Sequence, residues 1–411
     1  MKHLDDIMNP NLEKKLKEEL NELEKNDLLR TVDDLRFISS TKAIDNDGNE
    51  FLVFGTNNYL GLTHHPYVIK AAKEASEYGT GSTGSRLTTG ASYEARELES
   101  NISEFKNVES ALIFNTGYMT NLGVIYALTK ENDVIFSDQL NHASIIDGTR
   151  ISKAKVKVYK HKDTKDLENL ILDEIESKKD SNLFIVSDGV FSMDGDIAPL
   201  PELVEIADKY NCTLIIDEAH ATGVIGKNGK GTVEYYKDQT GIDLTDSVDL
   251  QIGTLSKALA SEGGFVCGKQ VYIDYLINKS RPFIFSTALS PATIASANAA
   301  LNLLKENSEE YLNNLNSNTR LMRELLTNAG LNIVDGETPI IPIIIGPADL
   351  ANKISKELEK EGILVSSIRP PSVPKDMSRL RLTVIATHTK EEIEYTAKKI
   401  IEIWNNIKKI N

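Results

Sequence analysis

Short apolar runs rich in Val, Ile and Phe punctuate the middle of the chain, at 111–114, 134–136, 156–159, 183–187, 213–217, 250–254 and 265–267. Polar residues do not alternate with apolar ones inside them, which is the pattern of strands buried on both faces. Between them lie stretches with helical spacing, at 94–106, 166–178 and 201–210. Alternation of this kind over about 200 residues predicts an α/β fold, a mostly parallel sheet covered by helices. From about Pro291 the texture changes to two long helical patterns, then to strands at 339–345, 364–368 and 379–385, and to a closing helix from Lys390. That portion reads as a smaller α+β domain. Ahead of it all, Leu12, Leu16, Leu20 and Leu23 place one apolar stripe on a charged helix, the pattern of an arm packed on its own domain. The expected organisation is a helical arm at 1–50, a large domain at 51–290 and a small C-terminal domain at 291–411.

Composition narrows the class. The 46 Lys and Arg against 61 Asp and Glu leave a formal charge of −15, which argues against a non-specific nucleic-acid or anionic-membrane binder. Hydrophobic residues at 40% and charged residues at 26% supply a real core without the bias of a disordered chain. Two cysteines, Cys212 and Cys267, exclude a disulfide framework. The first 30 residues are charged throughout and carry no apolar export signal, and no run approaches the roughly 18 apolar residues of a membrane helix. A soluble, cytoplasmic protein is expected.

In a parallel sheet, chemistry collects where strands end. The polar residues just past the apolar runs are Gly117 and Tyr118, His142, Asp188 and Ser192, Asp217 and His220, and Thr254 and Lys257. Other patterns carry less. Residues 79–84 spell G-x-G-x-x-G, but the segment before them, 66–78, reads as a helix, whereas a dinucleotide fingerprint follows a strand. There is no nucleophile elbow, P-loop or H-E-x-x-H. His64 and His65 are adjacent, a poor metal pair, and no metal site is expected. Asp45-Asn46-Asp47-Gly48 reads as a hairpin turn rather than a calcium loop. Thr213-Leu-Ile-Ile-Asp217-Glu-Ala-His220 is more specific, because a carboxylate at the end of a buried strand is costly without a partner. It is either a cap on the next loop or a carboxylate facing a protonated heterocycle. Gly253-Thr-Leu-Ser-Lys257 then sets a lysine at a second strand end. The pair suits an imine between Lys257 and an aldehyde cofactor whose ring proton Asp217 holds.

Asn141-His-Ala-Ser-Ile-Ile-Asp-Gly148, Asp188-Gly-Val-Phe-Ser-Met-Asp-Gly195, Asp217-Glu-Ala-His-Ala-Thr-Gly223 and Gly253-Thr-Leu-Ser-Lys257 resemble the α-oxoamine synthases. The likeness runs from Asn57-Asn-Tyr-Leu-Gly-Leu62 to about His388. It implies a pyridoxal-phosphate enzyme of fold type I, the aspartate-aminotransferase fold, that condenses an amino acid with an acyl thioester. By that resemblance Lys257 carries the cofactor, Asp217 pairs with its ring nitrogen, His220 with its phenolic oxygen, and His142 stacks on the ring. Gly117, Tyr118, Ser192 and Thr254 match cofactor and phosphate contacts. Ser286 and Thr287 match residues that reach the phosphate from the neighbouring subunit, which implies a homodimer with shared sites. Arg369 matches the substrate-carboxylate arginine, Ser372 a nearby substrate contact, and Asn57 a further active-site residue. Glu218, where relatives often carry Asp, is a departure. Within the family, Gly84-Ser-Arg-Leu-Thr-Thr-Gly90 and Ser367-Ile-Arg-Pro-Pro-Ser-Val-Pro374 resemble members that join L-alanine to a pimeloyl thioester, on CoA or an acyl carrier protein, rather than glycine to acetyl-CoA. The readings from other classes are a non-catalytic regulator on the same fold and, from the glycine run alone, an NAD oxidoreductase.

Overall fold

The structure, a computed structural model, describes residues 11–177 and 181–408. Its centre is a seven-stranded sheet in the spatial order Ser110–Phe114, Gly264–Gly268, Leu250–Thr254, Thr213–Asp217, Leu183–Asp188, Val134–Asp138, Lys155–Tyr159. Six strands are parallel to one another, and Gly264–Gly268 runs against both of its neighbours. The apolar runs forecast these strands to within two residues at each end. They are apolar throughout because each face has its own core. Val134, Phe136, Ile185, Leu214 and Ile216 pack on one side, and Ile135, Phe184, Val186, Ile215 and Ile252 on the other. Helices Tyr93–Lys106, Thr164–Ser177 and Leu200–Tyr210 occupy the predicted stretches; Lys178, the expected end of the second, lies outside the described residues.

The C-terminal portion holds a three-stranded antiparallel sheet, Ile340–Gly346, Ser378–Thr383 and Ser366–Ile368, covered by helices Ala348–Lys360 and Lys390–Lys408. The two helical patterns from Pro291 form one long element, Pro291–Asn328, interrupted by non-helical backbone at Asn307. The helix at Ala348–Lys360 was not expected, although Ala351, Ile354 and Leu358 line its buried face. The forecast strand at 364–368 divides in two. Ile363–Leu364 pairs in parallel with Glu50–Val53, while Ser366–Ile368 joins Ser378–Thr383.

Residues 36–53 form strands that share a sheet with Ile363–Leu364, and Phe54 is buried in the C-terminal core. Asp45 accepts the N–H groups of Asp47 and Asn49 at 2.9 Å each and closes the expected hairpin. The helix Leu12–Lys25 departs from expectation. It has no buried residue, and Leu12, Leu16, Leu20 and Leu23 are 68, 49, 52 and 38% exposed. One helix face can be apolar without finding a partner in its own chain, because periodicity fixes the face and not what covers it. Among the described residues, no helix is long and apolar enough to cross a membrane.

Candidate active site

Three adjacent parallel strands end at one edge of the sheet. Asp188 and Asp217 are register partners at the tips of their strands, and Leu250–Thr254 lies beside them. Asp217 is 3% exposed. Its Oδ1 accepts the Ala219 N–H at 2.8 Å and its Oδ2 the Asn121 side-chain amide at 2.6 Å. Asn121 comes from the helix Gly117–Leu128 and also donates to Ser144 Oγ at 3.0 Å. Ser144 Oγ lies 2.7 Å from His142 Nδ1, which caps the helix Ala143–Ser152 by accepting the Ser144 N–H. His142 is anchored from below as well, its backbone N–H donating to Asp188 Oδ2 at 2.7 Å. Hydrogen bonds therefore link Asp217, through Asn121 and Ser144, to the ring of His142 and Asp188 to its backbone.

His220 and Lys257 follow the ends of Thr213–Asp217 and Leu250–Thr254 and meet, with His220 Nε2 2.9 Å from Lys257 Nζ. His220 Nδ1 lies 2.6 Å from the Tyr59 hydroxyl, which also reaches Asn57 Oδ1 at 3.4 Å. Burial, with the charges of Lys257 and Arg381, holds His220 well below its ordinary pKa, so the ring is neutral. Burial also lowers the Lys257 ammonium to about 8, with Arg381 adding to the shift and Asp217 and Asp188 opposing it. An amine placed this way has an appreciable unprotonated fraction at neutral pH, as a nucleophile or a base requires.

The edge continues to Thr254 and the start of the helix Gly117–Leu128. Thr116 caps that helix by accepting the Met119 N–H at 3.0 Å. The N–H groups of Gly117 and Tyr118 belong to the first turn, where the helix has no acceptor of its own to offer. A Cβ on Gly264 would sit 2.6 Å from the Gly117 backbone, so glycine at 264 lets the helix start press against the sheet. The Tyr118 hydroxyl donates to Asp147, and its ring meets His142 edge to face at 6.4 Å. Thr254 Oγ1 lies 2.7 Å from Ser256 Oγ and donates to the Gly263 carbonyl at 2.9 Å. Ser192, on the turn after Leu183–Asp188, is tied through its carbonyl to Arg381 Nε at 2.6 Å.

Arg381 is a residue that the sequence reading passed over. It lies 5% exposed in the strand Ser378–Thr383, donates to Thr383 Oγ1 at 3.0 Å, and brings its charge against Tyr59, His220 and Lys257. Two arginines inside a buried strand, Arg379 and Arg381, were the available signal, since such residues are almost never fully buried unless paired. Tyr59 and Asn121 were likewise unnamed. Arg369 sits elsewhere, on the loop after Ser366–Ile368, where it donates to the Asp27 carbonyl while Arg30 reaches the Pro370 carbonyl at 3.4 Å. Ser372 folds back on that loop, its N–H donating to the Arg369 carbonyl at 3.1 Å. Thr287, itself exposed, bridges to Ser85 and accepts from the Asn115 side chain at 2.7 Å through its carbonyl, next to the half-buried Ser286 and the exposed Phe285. Among the described residues, no three His, Cys, Asp or Glu side chains are grouped to hold a metal ion.

The family described as aminotransferase class I and II matches residues 49–400. An 8-amino-7-oxononanoate synthase from Lysinibacillus sphaericus is 48% identical over 358 residues, covering 87% of this chain and 90% of that protein. A structure of SPT with its pyridoxal-phosphate internal aldimine superposes with a TM-score of 0.89 at 30% identity, covering 97% of this chain and 99% of the other. The structure of 8-amino-7-oxononanoate synthase from Francisella tularensis gives 0.71 at 29% identity, covering 87% and 98%.

Proposed function

We infer that this chain, which belongs to the aminotransferase class I and II family and has its fold type I architecture, condenses L-alanine with a pimeloyl thioester. Carbon dioxide is lost and 8-amino-7-oxononanoate, a biotin precursor, is formed. It is an acyltransferase, its cofactor is pyridoxal phosphate, and it works in the cytoplasm as a homodimer. The observation that carries the reading is the meeting of Lys257 Nζ with His220 Nε2 at 2.9 Å beside the buried Asp217.

The residues present fit the cofactor. Asp217 is a buried carboxylate held by two neutral donors, Ala219 N–H and Asn121, a geometry that suits pairing with a protonated ring nitrogen. The first N–H groups of Gly117–Leu128, at Gly117 and Tyr118, with Thr254 beside them, suit a phosphate. Lys257 offers an amine of depressed pKa to an aldehyde. When bound, pyridoxal phosphate supplies an electron sink for charge developing at the amino-acid α-carbon. His142, held by Asp188 and Ser144, would pack against the cofactor ring. Neutral His220, fixed by Tyr59, presents Nε2 toward Lys257 and would hold the phenolic oxygen of the cofactor. Lys257, once free, takes the α-proton. Ser192 is a cofactor contact, and Asn57 supports Tyr59 from the substrate side. Arg381, whose charge reaches Lys257, is assigned the amino-acid carboxylate, because a guanidinium binds two oxygens in one plane. Arg369, which the resemblance matches to the substrate carboxylate, is held instead against the Asp27 carbonyl, and with Ser372 and Arg30 near it is assigned the anionic acyl thioester. Ser286 and Thr287 complete the phosphate site of the neighbouring subunit.

The test offers alanine or glycine, each with pimeloyl-CoA or acetyl-CoA, and measures the thiol released. Alanine with pimeloyl-CoA is the expected pair. Preference for glycine with acetyl-CoA overturns the substrate assignment, and no thiol from any pair overturns the catalytic reading in favour of a regulator.

A further inference from the structure

His161 does not face Lys257, yet its ring bridges the segments that carry two site residues. Nδ1 lies 2.9 Å from Asp138 Oδ1 and Nε2 2.9 Å from Asp196 Oδ2, and the ring stands edge-on to Phe191 at 4.4 Å. Both partners are carboxylate oxygens, so both ring nitrogens must donate, and only the imidazolium has two N–H groups. Asp138 ends the strand Val134–Asp138 and also accepts the Leu140 N–H at 2.8 Å, setting the path toward His142. Asp196 closes the turn that carries Ser192, between the bridged residues Val190 and Ile197.

The far side of that turn is held by the C-terminal domain. Arg381 donates to the Ser192 carbonyl, Arg379 to Asp194 at 2.6 Å, and Thr338 to the Gly195 carbonyl at 2.6 Å. The turn is therefore clamped between His161 and Lys162 on one side and Arg379 and Arg381 on the other.

Building on the function proposed above, we propose that His161 is a positioning residue: as an imidazolium it pins the turn at 191–196 to the end of Val134–Asp138. It thereby fixes Ser192 against the cofactor and, through the Ser192 carbonyl, aims Arg381 at the amino-acid carboxylate. Loss of its proton in alkaline solution loosens the turn. The charged groups facing the ring are Asp138 from the strand, Asp196 from the turn and Lys162 from its own segment, with Asp188 and Tyr159 behind Asp138. Burial works against the charged ring, but the two carboxylates outweigh it and raise His161 to about 9. Lys162 Nζ, 2.9 Å from Asp196, keeps a hold on the turn after His161 is neutral, so the turn is loosened rather than freed.

Two measurements decide this. In steady-state kinetics of the holoenzyme, His161→Gln should raise the KM for the amino acid about tenfold at pH 7 with a smaller effect on kcat, because glutamine donates to only one of the carboxylates. The ratio of wild-type to variant kcat/KM should fall toward one above pH 9, since every other titration is common to both proteins. A ratio constant from pH 7 to 10 overturns the proposal. The second measurement uses wild-type holoenzyme without substrate and so does not depend on the variant folding. Amide exchange at 191–195, corrected for its intrinsic base catalysis, should lose about tenfold in protection between pH 8 and 10 relative to Leu183–Asp188. Unchanged protection there overturns the clamp. That readout needs no turnover, so it stands or falls separately from the thiol-release assay.

Discussion

At the scale of single residues, the site depends on how burial redistributes protons. Lys257 is lowered to about 8 mainly by desolvation, so the reactive neutral amine grows as pH rises through that value and is scarce below it. Cofactor-stripped protein should therefore capture pyridoxal phosphate faster as pH climbs from 6 to 8 and level off above 9, as followed by the growth of its visible band. A rate flat across that range would show that the amine is not in the environment described. Borohydride reduction of the loaded protein and peptide mapping should place the label on Lys257. Lys257→Ala should lose both the band and turnover, by at least about a thousandfold. Asp217→Asn, which keeps the size but not the charge, should bind cofactor while losing most activity. The residues on which these tests rest were legible as candidates because loops at the strand ends of a parallel sheet collect polar residues, and Asp217 ends such a strand while His220 and Lys257 follow one. Tyr59, Asn121 and Arg381 were not legible as site residues. Each reaches the site from an element distant in sequence, and no local spacing reports that Arg381 in a C-terminal strand comes to lie over the Ser192 turn.

At the scale of elements, local pattern fixed what is local. Thr213–Asp217 and Leu250–Thr254 follow their apolar runs residue for residue, because strands buried on two faces leave an uninterrupted signature. The segment at 364–368 has one pattern but two partners, and its division at Val365 is decided by long-range pairing that periodicity does not encode. The loop after Asp217 shows a second kind of dependence. Glu218 is fully buried 3.8 Å from Lys106 Nζ, accepts the Thr232 N–H at 2.8 Å, and ties the helix Tyr93–Lys106 to the strand end bearing Asp217. Burial raises its pKa despite the nearby ammonium. Lys106→Met leaves that carboxyl without its cation and should cost about 3–5 kcal/mol in denaturant unfolding at pH 8. The sign with pH follows from the raised value. A carboxyl that holds its proton more tightly when folded is least harmful when protonated, so the penalty should shrink toward pH 5 and grow as pH rises. A penalty independent of pH would mean that Glu218 is not the group left stranded. The helix Leu12–Lys25 makes the opposite case. It has no buried residue, so replacing Leu16 and Leu20 together by Ser should change chain stability by less than about 0.5 kcal/mol, and a larger loss would show that its leucine stripe is covered in solution.

At the scale of the whole molecule, the question is whether one chain makes one site. Lys257, Asp217 and His220 sit at or just past strand ends of the seven-stranded sheet, and the three-stranded sheet adds Arg381. Ser286 and Thr287 lie beside the exposed Phe285 at the surface, with the Thr287 carbonyl held by Asn115 of the same chain. If their side chains serve a second copy, damage to Lys257 and damage to Ser286 and Thr287 fall on opposite subunits of each site. Lys257→Ala protein has intact residues at 286 and 287 to lend, and a Ser286→Ala/Thr287→Val double variant has an intact lysine. Each should be nearly inactive alone. Mixed under conditions that let subunits exchange, half of the dimers become hybrids, and each hybrid has one fully native site and one doubly damaged site. Activity should then return to about one quarter of wild type, the fraction set by random pairing in a two-fold dimer. Recovery to that level requires residues of two chains in one site. If both groups instead serve the chain that carries them, every mixture contains only damaged sites, and activity stays at the mean of the two parents.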